Sequence, residues 1–252
     1  MKNGYDIIVV GGGGSGLAAA VSAAENGASV LLLEKQSALG GTTGIAVGSF
    51  TANQTRLQAR SGIEDSPESH NEDAGKFPAP DIEARNNDEL RRFFLSHSAD
   101  TIHWLMDMGL TFHGPNPEPP NRVPRMHNVV PGAKAYVATL HARLIKLGGT
   151  VRVNSAVQRL LQNDNGAVTG VAVRNSAGKS AHESDLDQNE IHFQAKRGVV
   201  LAAGDYANCP GTIARFKGDR YASIEGINPD ADGDGHRLAE AAGAKLLNMD
   251  VT

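Results

Sequence analysis

Four consecutive glycines, Gly11–Gly14, followed by Ser15 and Gly16, stand near the start of this 252-residue chain. Without a Cβ, such a run either resists structure or makes a turn that no other residue can make. Its flanks decide between the two. Tyr5–Val10 is a short β-branched run that reads as a buried strand. Gly16–Asn26 is alanine-rich, has good helix propensity and stops at Gly27, a natural C-terminal cap. Ala28–Leu33 is a second buried strand, ending at Glu34. Strand, glycine turn, helix and strand predict a right-handed crossover, with Tyr5–Val10 central and Ala28–Leu33 its parallel neighbour.

Gly11-x-Gly13-x-x-Gly16, with Glu34 18 residues beyond Gly16, is the spacing of a dinucleotide cradle. Gly11 permits the tight turn, Gly13 lets the backbone approach a pyrophosphate, and Gly16 allows close packing of helix on strand. The helix N-terminus offers N–H groups and partial positive charge to the phosphates. Glu34 is placed to accept hydrogen bonds from ribose hydroxyls.

The remainder is less regular. Residues 50–86 are polar and lack periodicity, which predicts an exposed loop with a short helix or two. Asn86–Met108 reads as one helix closed by Gly109. Leu90, Phe93, Phe94, Thr101, Leu105 and Met108 recur there at helical spacing, so the phenylalanines and Trp104 are expected in the core. Gly114–Pro131 holds six prolines in 18 residues and is expected to be irregular and extended. Ala135–Leu147 is a helix closed by Gly148, and Val151–Val153 a strand. Ala156–Leu161 and Val168–Val173 pair as an antiparallel ribbon, and Asn175–Asn189 is a polar turn. Gly198–Ala203 is a buried strand ending in Gly204, and Gly233–Ala242 a glycine turn running into a helix. Leu246–Thr252 looks like the start of a strand.

Charge and cysteine usage narrow the function classes. The net charge of −4, without a basic stripe, argues against nucleic acid as a partner. Cys209 is the only cysteine, which excludes an internal disulfide or a thiolate metal cage and fits a reducing compartment. We read it as an inert thiol. Asp6 and the glycines interrupt the apolar N-terminus, so neither a signal peptide nor a membrane span of about 18 apolar residues is expected. The expected location is cytoplasmic. Asp230–Asp234 resembles a calcium loop but lacks its twelfth-position glutamate, so no metal is expected.

The glycine motif leaves the choice of dinucleotide open; the next turn, Gly40-Gly41-Thr42-Thr43, favours a flavin, whose ribityl chain and ring must be held along this edge. An NAD(P)-dependent dehydrogenase is the less favoured alternative. From the glycine loop through Glu34-Lys35, Gly40–Thr43 and Ala46–Gly48, the chain resembles the FAD-binding domain of the fumarate reductase and succinate dehydrogenase flavoproteins. Soluble single-polypeptide fumarate reductases are the nearest type, and ketosteroid dehydrogenases are relatives. Asp65–Glu68 with Glu72-Asp73, Asn87-Asp88 leading to Trp104 and Met108-Gly109, Val199–Gly204 and Asp232–Gly235 occur in the family's order.

The resemblance implies an α/β, Rossmann-like FAD-binding domain with a parallel sheet, an antiparallel β-ribbon insertion and added helices. Residues 1–252 would form that domain, with the glycine loop at 11–16, an insertion at 50–134 and returning segments at 135–252, stopping before the catalytic or capping domain. It implies Gly11, Gly13, Gly14, Ser15 and Gly16 at the pyrophosphate, Glu34 on the adenosine ribose with Lys35 beside it, and Gly41, Thr42 and Thr43 along the ribityl–flavin edge. Val47 and Gly48 would approach the flavin ring, Val157 the adenine, and Ala203 and Gly204 the cofactor a second time. Ser49 and Asp205 stand where the family usually has glycine. Arg125 and His127 lie in a segment resembling the family's loop near the flavin, where they could bind a carboxylate or carbonyl substrate; the alternative is a loop hydrogen-bonding itself. Tyr136 is a candidate proton donor. The implied activity is reduction or formation of a C=C bond beside a carboxylate or carbonyl, on a dicarboxylate, steroid or related enone. The family's substrate groups lie largely beyond Thr252, so this chain alone is expected to be inactive. The alternative function is a non-catalytic nucleotide-binding module that needs a partner, such as the remaining half of the same protein.

Overall fold

The structure is a computed structural model that describes residues 3–175 and 190–251. Most of the polar turn expected at Asn175–Asn189 lies outside those residues. The chain divides into two compact units, residues 1–45 with 140–252, and residues 46–139.

The first unit is built on a six-stranded sheet. Strand β1 (Gly4–Val10) pairs in parallel with β2 (Val30–Leu33), in the register Ile7 to Val30. Helix α1 (Gly14–Glu25) connects them, as the glycine turn predicts. Strand β6 (Thr150–Arg152) adds in parallel beyond β2, and β9 (Glu190–Leu201) adds in parallel on the other side of β1. Strands β7 (Ser155–Gln162) and β8 (Val168–Asn175) complete the order β6-β2-β1-β9-β8-β7 as antiparallel neighbours. The central strands are near-continuous apolar runs because both faces are covered. Ile8, Leu31, Val171 and Phe193 meet in one cluster that Leu238 joins from helix α9 (Asp234–Ala241). Only the last part of β9 was expected. Ile191, Phe193 and Ala195 alternate with polar residues, a half-buried period-2 pattern that extends the strand back to Glu190. Helix α8 (Pro210–Lys217), with Cys209 at its N-cap, was not anticipated. Residues 246–251 form no strand, contrary to the expectation for Leu246–Thr252.

The second unit contains an antiparallel sheet of β3 (Ser49–Thr51), β5 (Met126–Val130) and β4 (Thr111–Asn116), in that order. Strands β4 and β5 occupy much of the proline-rich stretch expected to be irregular. Their pairing slips between His113 and Asn116, which takes up the proline that cannot donate to the ladder. Residues 50–86 are more ordered than expected. They hold α2 (Arg56–Arg60), α3 (Pro67–Ala74) and α4 (Pro80–Glu83). Thr55 and Gln58 close a capping box on α2, while Ser66 caps α3 ahead of Pro67.

The single helix expected at Asn86–Met108 is two, α5 (Asp88–Ser96) and α6 (Ser98–Asp107), broken at His97. Buried side chains cause the break: Asn53 Nδ2 and Ser98 Oγ each donate to the Leu95 carbonyl at 2.9 Å. Helix α5 also faces the other way from the periodicity. Leu90, Phe93 and Phe94 are 59–65% exposed, whereas Arg91 turns inward onto Glu83 and Asn71. The division between the units falls inside α7 (Lys134–Lys146).

Candidate functional site

Strands β1, β2 and β9 end side by side, and the residues immediately following each of them line one cavity of about 610 Å³ in the first unit. This is where open parallel sheets bind ligands. Gly11–Ser15 follow β1, Glu34–Ala38 follow β2, and Ala202–Asp205 follow β9; Gly41, Thr42, Thr43 and Val157 also line the space. Twelve of the expected cofactor residues are thereby brought together: Gly11, Gly13, Gly14, Ser15, Glu34, Lys35, Gly41, Thr42, Thr43, Val157, Ala203 and Gly204.

The glycines of the first turn differ in what they do. A Cβ on Gly16 would stand 2.0 Å from the Gly11 carbonyl oxygen, so α1 packs on the turn only through a glycine. Gly11, at φ +105°, would meet the Ala202 carbonyl at 2.3 Å. Gly13 is the exception. Its φ of −77° suits any residue, and the nearest atom to an added Cβ is 3.7 Å away. The space beside Gly13 is therefore open to a ligand, at the N-cap of a helix whose N-cap residue has no side chain to cap it. Helix α1 makes its first i to i−4 bond from Leu17 N–H to the Gly13 carbonyl, and of the earlier amides Gly14 N–H is taken by Thr43 Oγ1, so those of Ser15 and Gly16 can face an anion.

Glu34 is buried, and both its oxygens are fixed by backbone. Gly12 N–H donates to Oε2 at 2.7 Å and Gln36 N–H to Oε1 at 2.8 Å. Each carboxylate oxygen keeps a second lone pair for a hydroxyl donor. Thr43 Oγ1 accepts from Gly14 N–H at 3.1 Å, which ties the second turn to the first. Lys35 Nζ donates to the Asp230 carbonyl, Asp232 Oδ1 and Asp234 Oδ2, at 2.8, 2.7 and 3.1 Å. Burial works to lower the ammonium pKa, but the bonds to Asp232 and Asp234 outweigh it and raise it. The calcium-like loop thus holds an ammonium group. Asp205 lines the cavity with Oδ1 accepting from Ala207 N–H at 2.8 Å, a local turn of the kind Asp favours.

Several lining residues were not singled out from the sequence. Ile45, Ile227–Pro229 and Leu238 carry no motif of their own, and only the neighbouring Asp230–Asp234 and Asp232–Gly235 patterns pointed to this stretch.

Val47 and Gly48 belong to the second unit. Val47 is 80% exposed, and Gly48, at φ +99°, leaves no room for a Cβ against Ala133. Ser49 Oγ donates to Asn128 Oδ1 at 2.7 Å. The candidate substrate groups lie in the same unit and are engaged internally. Arg125 is fully buried, with Nε and Nη2 on Asp65, and Nη1 on Asp73 and Asn121. His127 Nε2 lies 2.9 Å from Thr55 Oγ1, and its Nδ1 lies 3.3 Å from the Phe50 carbonyl. Burial lowers its pKa, which keeps the ring neutral. Tyr136 donates to the Gly48 carbonyl at 3.0 Å, and burial pushes its hydroxyl up to about 12.

Comparison with known proteins agrees with this geometry. The family described as FAD binding domain matches residues 6–251. A fumarate reductase (cytochrome) of Shewanella frigidimarina is 30% identical over 87% of this chain and 36% of its own length. A flavocytochrome c3 fumarate reductase in an open conformation superposes with a TM-score of 0.85 at 29% identity, over 96% of this chain and 41% of its own. The 3-ketosteroid-Δ4-(5α)-dehydrogenase of Rhodococcus jostii RHA1 gives 0.83 at 27% identity, over 98% and 55%. The chain therefore spans less than two thirds of each of these relatives. No helix among the described residues is long and apolar enough to cross a membrane. The chain is thus similar to fumarate reductase flavoproteins over part of their length, and it belongs to the FAD binding domain family, with FAD as its cofactor.

Proposed function

We propose that residues 1–252 act as the FAD-binding domain of an enzyme that reduces or forms a C=C bond beside a carboxylate or carbonyl, with 50–134 as an insertion. The observation that carries this reading is the open face of Gly13, beside the N-terminus of α1 and the Glu34 carboxylate, in a chain similar to fumarate reductases. Gly13, Gly14 and Ser15 would present backbone to the pyrophosphate, and Glu34 would accept from the adenosine ribose. Thr42 and Thr43 would hold the ribityl edge. Bound FAD would supply the hydride chemistry. Val47 and Gly48 remain proposed contacts to the flavin ring, and Val157 to adenine. A dicarboxylate, steroid or related enone is the proposed substrate class, since similar proteins bear the names fumarate reductase and 3-ketosteroid dehydrogenase. Cytoplasmic location and the absence of a nucleic-acid partner belong to the same proposal, from the single cysteine and the net charge of −4.

A second reading, a nucleotide-binding module without turnover of its own, is favoured by the engagement of Arg125, His127 and Tyr136 with internal partners. One experiment tests what the two share. The purified chain is expected to be yellow, and its reduced flavin to show no saturable reoxidation by fumarate or a 3-ketosteroid enone under anaerobic conditions. Rapid saturable turnover would place the substrate groups inside these residues. A colourless protein that binds NAD would overturn the flavin reading.

A further inference from the structure

The loop from Gly226 to Gly233 is tied down at both ends of its span, by two different kinds of contact. On one side the partners are residues that follow β9. Asn208 N–H donates to the Ala231 carbonyl and Asn208 Nδ2 to the Pro229 carbonyl, both at 2.8 Å, while its Oδ1 accepts from Gly226 N–H at 3.1 Å. The Asp205 carbonyl accepts from Gly233 N–H at 3.2 Å. On the other side the partners are residues that follow β2. Lys35 holds Asp230, Asp232 and Asp234, Gln36 Nε2 donates to Asp230 Oδ1 at 2.7 Å, and Thr42 Oγ1 accepts from Asn228 Nδ2 at 2.9 Å.

In the sheet order, β1 lies between β2 and β9. A loop bonded to the ends of both outer strands must cross the end of the middle one, which is where Gly11–Gly16 begin. Ile227–Ala231 line the same cavity as those glycines, and Ile227 is 89% exposed on the loop. The two attachments differ in strength. The Asn208 side consists of bonds to main-chain groups. The Lys35 side consists of side-chain contacts in which Lys35 is 25% and Asp232 49% exposed, the kind of ion pair that water and salt weaken readily.

We infer that residues 226–233 form a strap across the FAD cavity, hinged at Asn208 and clasped by Lys35, Gln36 and Thr42, and that its opening sets the rate at which FAD enters and leaves. This rests on the cavity being the FAD site. Opening breaks the Lys35–Asp232, Gln36–Asp230 and Thr42–Asn228 contacts and leaves the Asn208 contacts in place. A gate of this kind limits both directions of exchange, because FAD passes only while the clasp is open. A residue that merely touches bound FAD affects release alone.

Asp232→Asn and the charge-reversing Asp232→Lys test it from the strap side, at a residue outside the cavity lining, without altering the glycine turn or Glu34. FAD uptake by the stripped protein is followed by quenching of flavin fluorescence, and release by its recovery on dilution. Asp232→Asn is expected to speed uptake and release together by about two- to fivefold, and Asp232→Lys by about tenfold, with Kd changed less than about twofold. Added salt is expected to speed both rates in the parent and to have much less effect in Asp232→Asn. Faster release with unchanged uptake would overturn the strap and make Asp232 a direct FAD contact; unchanged rates in both directions would overturn it outright. A parent protein that takes up no FAD would overturn the cofactor reading itself and take the strap with it.

Discussion

Hydrocarbon fills the interior of the first unit, where Ile8, Leu31, Val171 and Phe193 are at most 1% exposed. In the second unit Asn53, Thr55, Gln58, His70, Asp73, Ser98, Arg125 and His127 are all buried, and Arg125 heads the fully buried side chains by volume. The difference follows from chain path. Parallel strands satisfy their own backbone, so the first unit can cover its sheet with apolar side chains. The second unit joins short helices and short strands, whose many ends leave backbone groups without partners. Buried side chains supply them: Gln58 donates to the Pro124 carbonyl, Asn53 to the Leu95 carbonyl, and Asp73 accepts from Arg122 N–H. Burial alone thus does not mark a hydrophobic core, and a buried charge in the second unit is part of its scaffold.

Arg125→Leu puts the contrast between the units under the greatest strain. It would leave Asp65 and Asp73 buried beside an apolar group, and removing one partner of a buried ion pair costs about 3–5 kcal/mol. Denaturant unfolding is expected to show a loss of that order. Full stability would instead show that Arg125 is not part of the scaffold and leave it open to the role of a substrate group.

Two glycines draw a finer distinction inside the first unit. Gly16→Ala drives a methyl toward the Gly11 carbonyl and is expected to cost about 1–3 kcal/mol of stability, read by thermal unfolding. Gly13→Val keeps an allowed backbone, and its Cβ comes no closer than 3.7 Å to the surrounding chain, so it is expected to fold normally and lose FAD. Normal flavin affinity in folded Gly13→Val would show that the pyrophosphate lies elsewhere.

Acid acts on the buried polar groups of the second unit in two steps. Burial, followed by the nearby Arg125, lowers the His70 pKa from 6.5 to about 4. A depressed folded value means that the stabilisation is complete above 6.5 and is lost as pH falls from there to about 4. Burial works to raise the Asp65 and Asp73 pKa values, but hydrogen bonds outweigh it. Arg125 is the first such partner for Asp65 and Arg122 N–H for Asp73, and both fall below the ordinary 3.8. Their contribution is lost only in stronger acid. Unfolding titrated against pH should show the first decline flattened in His70→Asn, and an unchanged slope would assign it to another group.

Glu34→Ala is expected to weaken FAD binding by about 1–3 kcal/mol, the loss typical of hydrogen bonds to a charged group. Titration of the stripped protein with FAD measures it. Affinity equal to the parent's would mean that Glu34 serves the turn through Gly12 and Gln36, and not the ribose.

The sequence made the cradle legible because its constraints are local. Gly11 and Gly16 are required by the turn itself, Glu34 is fixed on it by the Gly12 N–H, and Gly13 keeps the space beside it clear for a ligand. The clasp on Lys35 was not legible, because Asp230, Asp232 and Asp234 stand about 200 residues away, and only the folded chain brings them together. The break at His97 escaped for a related reason: Asn53, 42 residues upstream of Leu95, takes the carbonyl on which α5 ends. Helical periodicity records which residues share a face but not which face turns inward, and in α5 the inward face is the polar one.

Leu90, Phe93 and Phe94 form a helical stripe, and the sequence alone places them in the core. In the structure the opposite face is anchored. Arg91 reaches Glu83 through both terminal nitrogens, at 3.0 and 2.7 Å, and Asn71 through Nε at 2.7 Å, while Leu95 is 4% exposed. The two readings predict opposite results for one pair of variants. With Phe94 exposed and Leu95 buried, Phe94→Ser shifts stability by less than about 0.5 kcal/mol, as for other exposed sites, while Leu95→Ala costs about 2–5 kcal/mol. If the stripe is covered in the folded protein, Phe94→Ser carries the larger cost and Leu95→Ala the smaller. Denaturant midpoints at unchanged m-value decide between them, since a shift in midpoint alone reports stability and not a change in the surface exposed on unfolding.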